Sequence, residues 1–377
     1  PRFIGNERKY LMDAMDSNFV SSVGEYVGKF EKAVAAYTGA GYAVAAVNGT
    51  SALHISLLLA GVEKDEEVIT QPVSFIATCN AITYAGAHPV FVDVSLKTMG
   101  MCPEKLEAFL KENATRHPDG KTYNNKTGRR FAAVVPMHTF GHPCEIGRIA
   151  EICENYHIPL VEDAAESIGS FYKGKHTGLF GELGAISFNG NKVITTGGGG
   201  MILTDDEELA KRAKHITTTA KLPHRWEYRH DYTAYNYRLT NLAAALGCGQ
   251  IEQLDFFIQE KRKLVEKYKA YFADKAEITF FTEPEDCRSN YWLNAVILKD
   301  RNARDEFLQY TNDHGIMTRP IWVLSNKLDM YRGCQCGDLS NAEWLEDRVV
   351  NIPSSVIIKD YYRKISDPQF NPYHNLV

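Results

Sequence analysis

Ser187-Phe188-Asn189-Gly190-Asn191-Lys192, followed by Val193 to Thr196 and four glycines from Gly197 to Gly200, places one lysine in a polar turn. A short apolar run (Ala185, Ile186, Phe188) leads into that turn, and the glycines let the backbone reverse. An amine held at a strand end, beside a cofactor and away from bulk water, can lose its proton and condense with an aldehyde to a Schiff base. Pyridoxal phosphate is such an aldehyde. The same stretch also suits an ordinary surface lysine in a glycine turn, so Lys192 has to be judged with other residues. Asn48-Gly49-Thr50-Ser51 follows the apolar run Ala43 to Val47 and precedes the apolar segment Ala52 to Leu59. Backbone N–H groups at such a helix start, with two hydroxyls, form a phosphate site, although helix capping alone would also explain Thr50 and Ser51. Asp163 ends another apolar run, Pro159 to Glu162.

The elements that must position these groups alternate. Strands are expected at Ala43–Val47, Glu67–Thr70, Pro89–Val94, Phe131–Val135, Ile158–Glu162 and Gly200–Thr204. Helices are expected at about Phe75–Tyr84, Pro103–Leu110, Glu145–Tyr156 and Asp205–His215, with an amphipathic leading helix over 24–37. Short apolar strands separated by helices imply an α/β fold with a mainly parallel sheet covered on both faces, and ligands in such folds sit at the carboxyl ends of the strands. Asp163 stands at such an end. Ser21 to Gly24 reads as a capping turn, Gly120 to Arg130 as a surface loop, and the Tyr-, His- and Arg-rich stretch Thr217 to Arg238 as a long functional loop. Leu239 to Tyr271 reads as mostly helical. It leads to a smaller C-terminal α/β domain, clearest in the strand Trp292–Leu298 and the helix Arg304–His314, which divides the chain at 1–250 and 251–377.

The 377 residues are 44% hydrophobic and 24% charged, which suits a soluble two-domain enzyme. A net charge of −5 offers no general attraction to nucleic acid or anionic membranes, and no apolar run approaches the ~20 residues of a membrane span. Eight cysteines without a CxxC pattern fit a reduced, cytoplasmic setting, and Cys334-Gln335-Cys336 reads as a loop. Gly169 to His176 nearly matches a nucleotide-binding P-loop, but His176 removes the magnesium-binding hydroxyl and Phe171 and Tyr172 crowd the backbone. No G-x-G-x-x-G follows the first strand, which disfavours a nicotinamide-dependent oxidoreductase. His138 and His142 have metal-ligand spacing, but Gly141 and Pro143 place them on a loop.

Four ordered motifs, Asn48 to His54, Glu162-Asp163-Ala164-Ala165-Glu166, Ser187-Phe188 with Lys192, and Tyr235-Asn236-Tyr237-Arg238, resemble the DegT-type nucleotide-sugar aminotransferases, fold type I pyridoxal-phosphate enzymes, from about Gly5 to Pro353. The forms around Lys192 and Asn236 resemble the branch that makes 4-amino-4,6-dideoxy sugars for legionaminic acid and bacillosamine. The resemblance implies that Lys192 forms the Schiff base and serves as general base and acid. It implies that Asp163 holds the pyridine nitrogen, that Thr50, Ser51 and Ser187 bind the cofactor phosphate, and that Phe75 stacks on the ring. Asn236 would reach the phosphate in the neighbouring subunit of a homodimer with shared sites. Arg238 would contact the sugar nucleotide, with Ser22, His138 and Arg319 as further candidates. Glu166 departs from the Gln or His of many members, so the contact to the cofactor hydroxyl stays open there. The implied substrate is a UDP-linked 4-keto-6-deoxy-N-acetylhexosamine, with glutamate as amino donor. The alternatives are a 3-keto-sugar aminotransferase and a sugar dehydratase on the same scaffold. Such dehydratases replace the lysine with His or depend on an iron–sulfur partner.

Overall fold

The computed structural model describes residues 1–358; residues 359–377, the end of the expected second domain, lie outside the described residues. Seven short strands build the large sheet: β1 (Tyr42–Ala46), β2 (Glu67–Thr70), β3 (His88–Phe91), β4 (Phe131–Val135), β5 (Val161–Asp163), β6 (Leu183–Ser187) and β7 (Gly200–Thr204). Strand pairs give β3–β2–β4 and β5–β6–β7–β1, and the parallel bridges Val134 to Leu160 and Met137 to Asp163 join the two runs. The order is therefore β3-β2-β4-β5-β6-β7-β1. β2 is parallel to β3 and β4, and β5 to β6, while β7 is antiparallel to both β6 and β1. The reason lies in the connections. A parallel neighbour needs a crossover, usually a helix, whereas β6 reaches β7 through the turn that carries Lys192.

Helices cover both faces. On one face α3 (Gly49–Leu59), α4 (Ala77–Tyr84) and α7 (Glu207–Thr217) pack through Leu53, Ile55, Ile82, Ala210 and Ile216 onto Val44, Val68, Val135, Val161 and Ile202. Most residues of α3 are buried, so it reads as a continuous apolar run rather than a stripe. On the other face α2 (Glu25–Thr38) and α8 (Asn241–Ile251) cover Ala45, Ile186, Met201 and Leu203, and α5 (Pro103–Asn113) and α6 (Ile146–Asn155) cover Ile69, Val90 and Val134.

The long α9 (Leu254–Phe272) leads to a second, antiparallel sheet in the order Ile278–Phe280, Asn294–Leu298, Val349–Ile352, Arg319–Pro320. Between its last two strands in sequence the chain returns to the large sheet. Phe91 N–H donates to Gln335 O at 2.9 Å, Gly337 N–H donates to Phe91 O at 2.8 Å, and the Asp93 carboxylate accepts Asn341 and Ala342 N–H at 2.9 Å each. Cys334-Gln335-Cys336 is a loop, and it covers the β3 edge through the bridge from Cys336 to Phe91.

Three local features differ from expectation. The helix Glu7–Asp16 precedes the leading helix; Glu7 and Ala14 are its buried residues, too few to mark a period. Residues 114–124 form the hairpin Ala114–Arg116 with Thr122–Asn124, overlapping the stretch read as a loop. The stretch after Thr217 is an arm with antiparallel bridges Thr218 to Asn236 and Lys221 to His230, displaying Trp226, Tyr228 and Tyr232 to solvent.

Candidate active site

The carboxyl ends of the parallel strands form one row. Met137, just past β4, bridges Asp163; Asp163 pairs with Ala185; Ser187 pairs with Gly200, which pairs with Ala46. Asp163, Ser187 and the turn after β1 therefore share one edge of the sheet. The turn after β1 is pressed against β6 and β7. A Cβ on Gly49 would lie 2.7 Å from Ser187 Cβ, and one on Gly200 would lie 2.3 Å from Asn48 O, so both positions exclude a side chain. Asn48 caps α3, its side-chain oxygen accepting the Ser51 N–H at 2.7 Å. Capping thus falls to Asn48 rather than to the hydroxyls of Thr50 or Ser51.

The Lys192 turn is fixed by its own backbone. Phe188 N–H donates to Gly199 O at 2.8 Å, Thr196 N–H to Phe188 O at 3.0 Å and Lys192 N–H to Asn189 O at 3.0 Å. Gly197 adopts φ +83°, which glycine takes without strain. Phe188 is fully buried, its ring centroid 4.9 Å from that of Phe30. The Lys192 side chain is only 11% exposed; Nζ lies 3.4 Å from Glu166 Oε1 and 3.8 Å from the centroid of the Trp292 ring. Lys192 is thus not an ordinary surface lysine.

Glu166 is buried, and Oε2 accepts the Phe140 N–H at 2.8 Å. Burial pushes its carboxyl up to about 7, with the Lys192 ammonium working in the opposite direction. Asp163 is buried as well; Oδ2 accepts from Thr78 Oγ1 at 2.6 Å and Oδ1 from Ala165 N–H at 3.1 Å. Thr78 in turn is 2.7 Å from the Ser74 hydroxyl. Phe75, one residue beyond Ser74, is half exposed near Trp322.

The sequence reading missed Thr78 and Trp292. Thr78 lay inside an expected helix, and Trp292 began an expected strand, so neither stood out by spacing.

Two of the expected substrate contacts, His138 and Arg238, are engaged within the fold. His138 is fully buried: Nδ1 accepts the Cys144 N–H at 3.1 Å, so Nε2 carries the proton given to Glu162 at 2.9 Å. Both ring nitrogens are engaged inside the fold. Arg238 is likewise committed. Its guanidinium pairs with Glu31 at 2.7 Å and donates to Ala45 O at 3.1 Å, and its side chain is 6% exposed. It extends the sheet beyond β1 through a bridge to Ala46.

Ser22, Asn236 and Arg319 are exposed. Ser22 lies in the segment before α2, beside a cleft of about 470 Å³ lined by Asp13, Phe19, Val23 and Tyr26. Asn236 is exposed on the arm. Arg319 belongs to the second sheet, beside Asn312 and Thr318 in a hollow of about 280 Å³.

Comparison with known proteins gives this geometry a context. Residues 2–362 match the DegT/DnrJ/EryC1/StrS aminotransferase family. The chain is similar to the GDP-perosamine synthase of Escherichia coli O157:H7, at 36% identity over 94% of this chain and 92% of that one. It is also similar to the GDP-perosamine synthase of Caulobacter vibrioides, at 34% identity over 94% and 91%. Among solved structures, the aminotransferase TlmJ from Streptoalloteichus hindustanus superposes with a TM-score of 0.85 at 27% identity, covering 96% of this chain and 93% of that one. The fold is that of the fold type I transferases. The chain belongs to the DegT/DnrJ/EryC1/StrS family and is a pyridoxal-phosphate-dependent sugar aminotransferase.

Proposed function

We propose that this protein transfers an amino group to C4 of a nucleotide-linked 4-keto-6-deoxy sugar, with glutamate as donor. The observation that carries the reading is the sheltered Lys192 amine facing buried Glu166, on the sheet edge that also holds Asp163 and the start of α3. The cradle fits pyridoxal phosphate. Positions where no Cβ is tolerated bring the N-terminus of α3 against Ser187, and a helix start with Thr50, Ser51 and Ser187 hydroxyls suits a phosphate dianion. Asp163, oriented by Thr78 and Ala165, suits a protonated pyridine nitrogen. Phe75 would cover the ring, and Glu166 in its protonated form would donate to the ring hydroxyl.

When bound, pyridoxal phosphate supplies the carbonyl that carries the amino group and the ring that draws electrons from the reacting carbon. The chain supplies the rest. Lys192 Nζ would take a proton from the amine-bearing carbon of the cofactor and deliver it to C4 of the sugar, and would move it the opposite way in the reverse direction. Glu166, 3.4 Å away, is the group with which that amine can share its proton. Burial of Asp163, Glu166 and most of Lys192 keeps bulk water from competing.

The division near residue 250, the cytoplasmic setting and the homodimer with Asn236 serving the partner subunit's cofactor are part of the same proposal. Support for the dimer comes from exposed Trp226, Tyr228 and Tyr232 on the arm that carries Asn236. Ser22 and Arg319 keep their place as sugar-nucleotide contacts because both are exposed.

For the nucleotide we propose UDP, carried on an N-acetylhexosamine, on the motif forms around Lys192 and Asn236. A GDP-linked sugar is the second reading, favoured by the two GDP-perosamine synthases. The test presents the pyridoxal form with UDP-, dTDP- and GDP-linked amino sugars and follows conversion to the pyridoxamine form, with regiochemistry assigned by NMR. A UDP-linked 4-amino sugar should react best. Preference for a GDP-linked sugar replaces the nucleotide assignment, and preference for a 3-amino sugar removes the C4 assignment.

A further inference from the structure

Trp292 stands where three parts of the molecule meet. It lies just before the strand Asn294–Leu298 of the second sheet and is 6% exposed. Its ring face lies 3.8 Å from Lys192 Nζ, and its indole N–H donates to Asn191 O at 2.8 Å, the carbonyl just before the lysine. Its backbone N–H donates to Asn290 Oδ1 at 2.8 Å, and Asn290 Nδ2 donates to Glu166 O at 2.8 Å and Ile168 O at 2.9 Å. Its carbonyl accepts from Lys261 Nζ at 3.1 Å, and that buried lysine also donates to Ser354 O at 2.6 Å. One short segment of the C-terminal half is thus anchored from behind by α9 and grips the Lys192 turn and the Glu166 backbone from in front.

A lysine stem has four rotatable bonds, so a free ammonium on the Lys192 turn would sample many positions. Glu166 alone holds it loosely, at 3.4 Å. A π face adds attraction to the cation without a directed hydrogen bond that must break when the amine moves. The indole N–H meanwhile fixes the turn from which the amine swings.

We propose that Trp292 is a positioning residue for the reaction, its ring face holding the free Lys192 amine beside Glu166 and its N–H fixing the turn. This rests on the reading of Lys192 as the reacting amine. A Trp292 that merely filled the core would leave the reactivity of that amine unchanged once the fold was kept.

The test compares Trp292→Phe, which keeps a ring face, with Trp292→Leu, which keeps neither device. Each variant is loaded with pyridoxamine 5′-phosphate, exposed to an amine-acylating reagent, and the rate of modification at Lys192 is read by peptide mass spectrometry. Trp292→Leu should raise that rate about threefold or more. It should lower kcat about tenfold, with KM for the sugar nucleotide held within about twofold. Trp292→Phe, which keeps the ring face but loses the N–H, should return the labelling rate and kcat part of the way to those of the parent. Unchanged labelling in folded Trp292→Leu, or no rescue by Trp292→Phe, overturns the proposal. Where circular dichroism shows that Trp292→Leu has lost its fold, Trp292→Met takes its place with the same outcomes. Borohydride reduction of the parent loaded with pyridoxal phosphate separates the two levels. A pyridoxyl mark on another lysine overturns the Lys192 reading and this proposal with it. A mark on Lys192 with unchanged labelling in the variants overturns this proposal alone.

Discussion

Glu162 and Glu166 sit four residues apart, and both are buried, yet the fold treats them in opposite ways. Glu162 accepts the N–H groups of Gly178 at 2.8 Å and Gly181 at 3.0 Å, that of Phe180, and His138 Nε2–H at 2.9 Å. Burial alone would raise its pKa, but His138 and the Gly178 and Gly181 donors outweigh burial and hold the carboxyl below its ordinary range. Glu166 receives one backbone N–H, from Phe140, and faces a lysine amine on a flexible stem. There burial prevails and the carboxyl is carried up to about 7. A carboxylate saturated with fixed donors is a structural pin. One left partly satisfied beside a movable amine can exchange a proton near neutral pH, which amino transfer requires.

The sharpest way to break this contrast is to remove the amine. Lys192→Ala should lower turnover about 10³-fold or more while leaving the thermal midpoint of the cofactor-free protein nearly unchanged, since the lost group is part of a reactive pair rather than a pin. Turnover and calorimetry measured side by side check it, and near-normal kinetics would place the chemistry elsewhere. Glu162→Ala should do the reverse. Stranding three N–H groups and the His138 ring should cost about 3–5 kcal/mol by chemical denaturation. A loss below about 1 kcal/mol would show that Glu162 is no pin.

Glu166→Gln sharpens the comparison through pH. An acid whose folded pKa lies above its unfolded value contributes stability that is complete at low pH and is lost as pH rises through the folded pKa. For Glu166 the window runs from 4.5 to about 7, worth roughly 3 kcal/mol at 1.36 kcal/mol per unit. The cofactor-free parent should therefore lose stability across that window relative to Glu166→Gln, which carries no charge there. Denaturation series at pH 4.5, 6 and 8 give the difference, and parallel curves for the two proteins would remove the account of Glu166.

The sequence showed the strands Phe131–Val135, Glu67–Thr70 and Gly200–Thr204 at their observed bounds, because each is a short apolar run closed by polar or glycine residues. Lys192 and Asp163 stand out in the sequence because both lie where such runs end. Long-range pairing left no such trace. Nothing local in Cys334 to Gly337 says that it lies along β3, and nothing in Gly120 to Arg130 announces half of a hairpin. The ion pairs of His138 and Arg238 left no trace for a related reason: their partners, Glu162 and Glu31, come from separate parts of the chain. Trp292 was invisible as a site residue because the Lys192 turn it grips lies 100 positions away.

The central claim is that the Lys192 amine carries pyridoxal phosphate. Reducing the loaded holoenzyme with borohydride and mapping the pyridoxyl group by peptide mass spectrometry tests it directly. The group should sit on the peptide containing Lys192 and be absent from the same experiment on Lys192→Ala. A pyridoxyl group on any other lysine of the parent, or one that persists in Lys192→Ala at the parent's stoichiometry, would contradict the account.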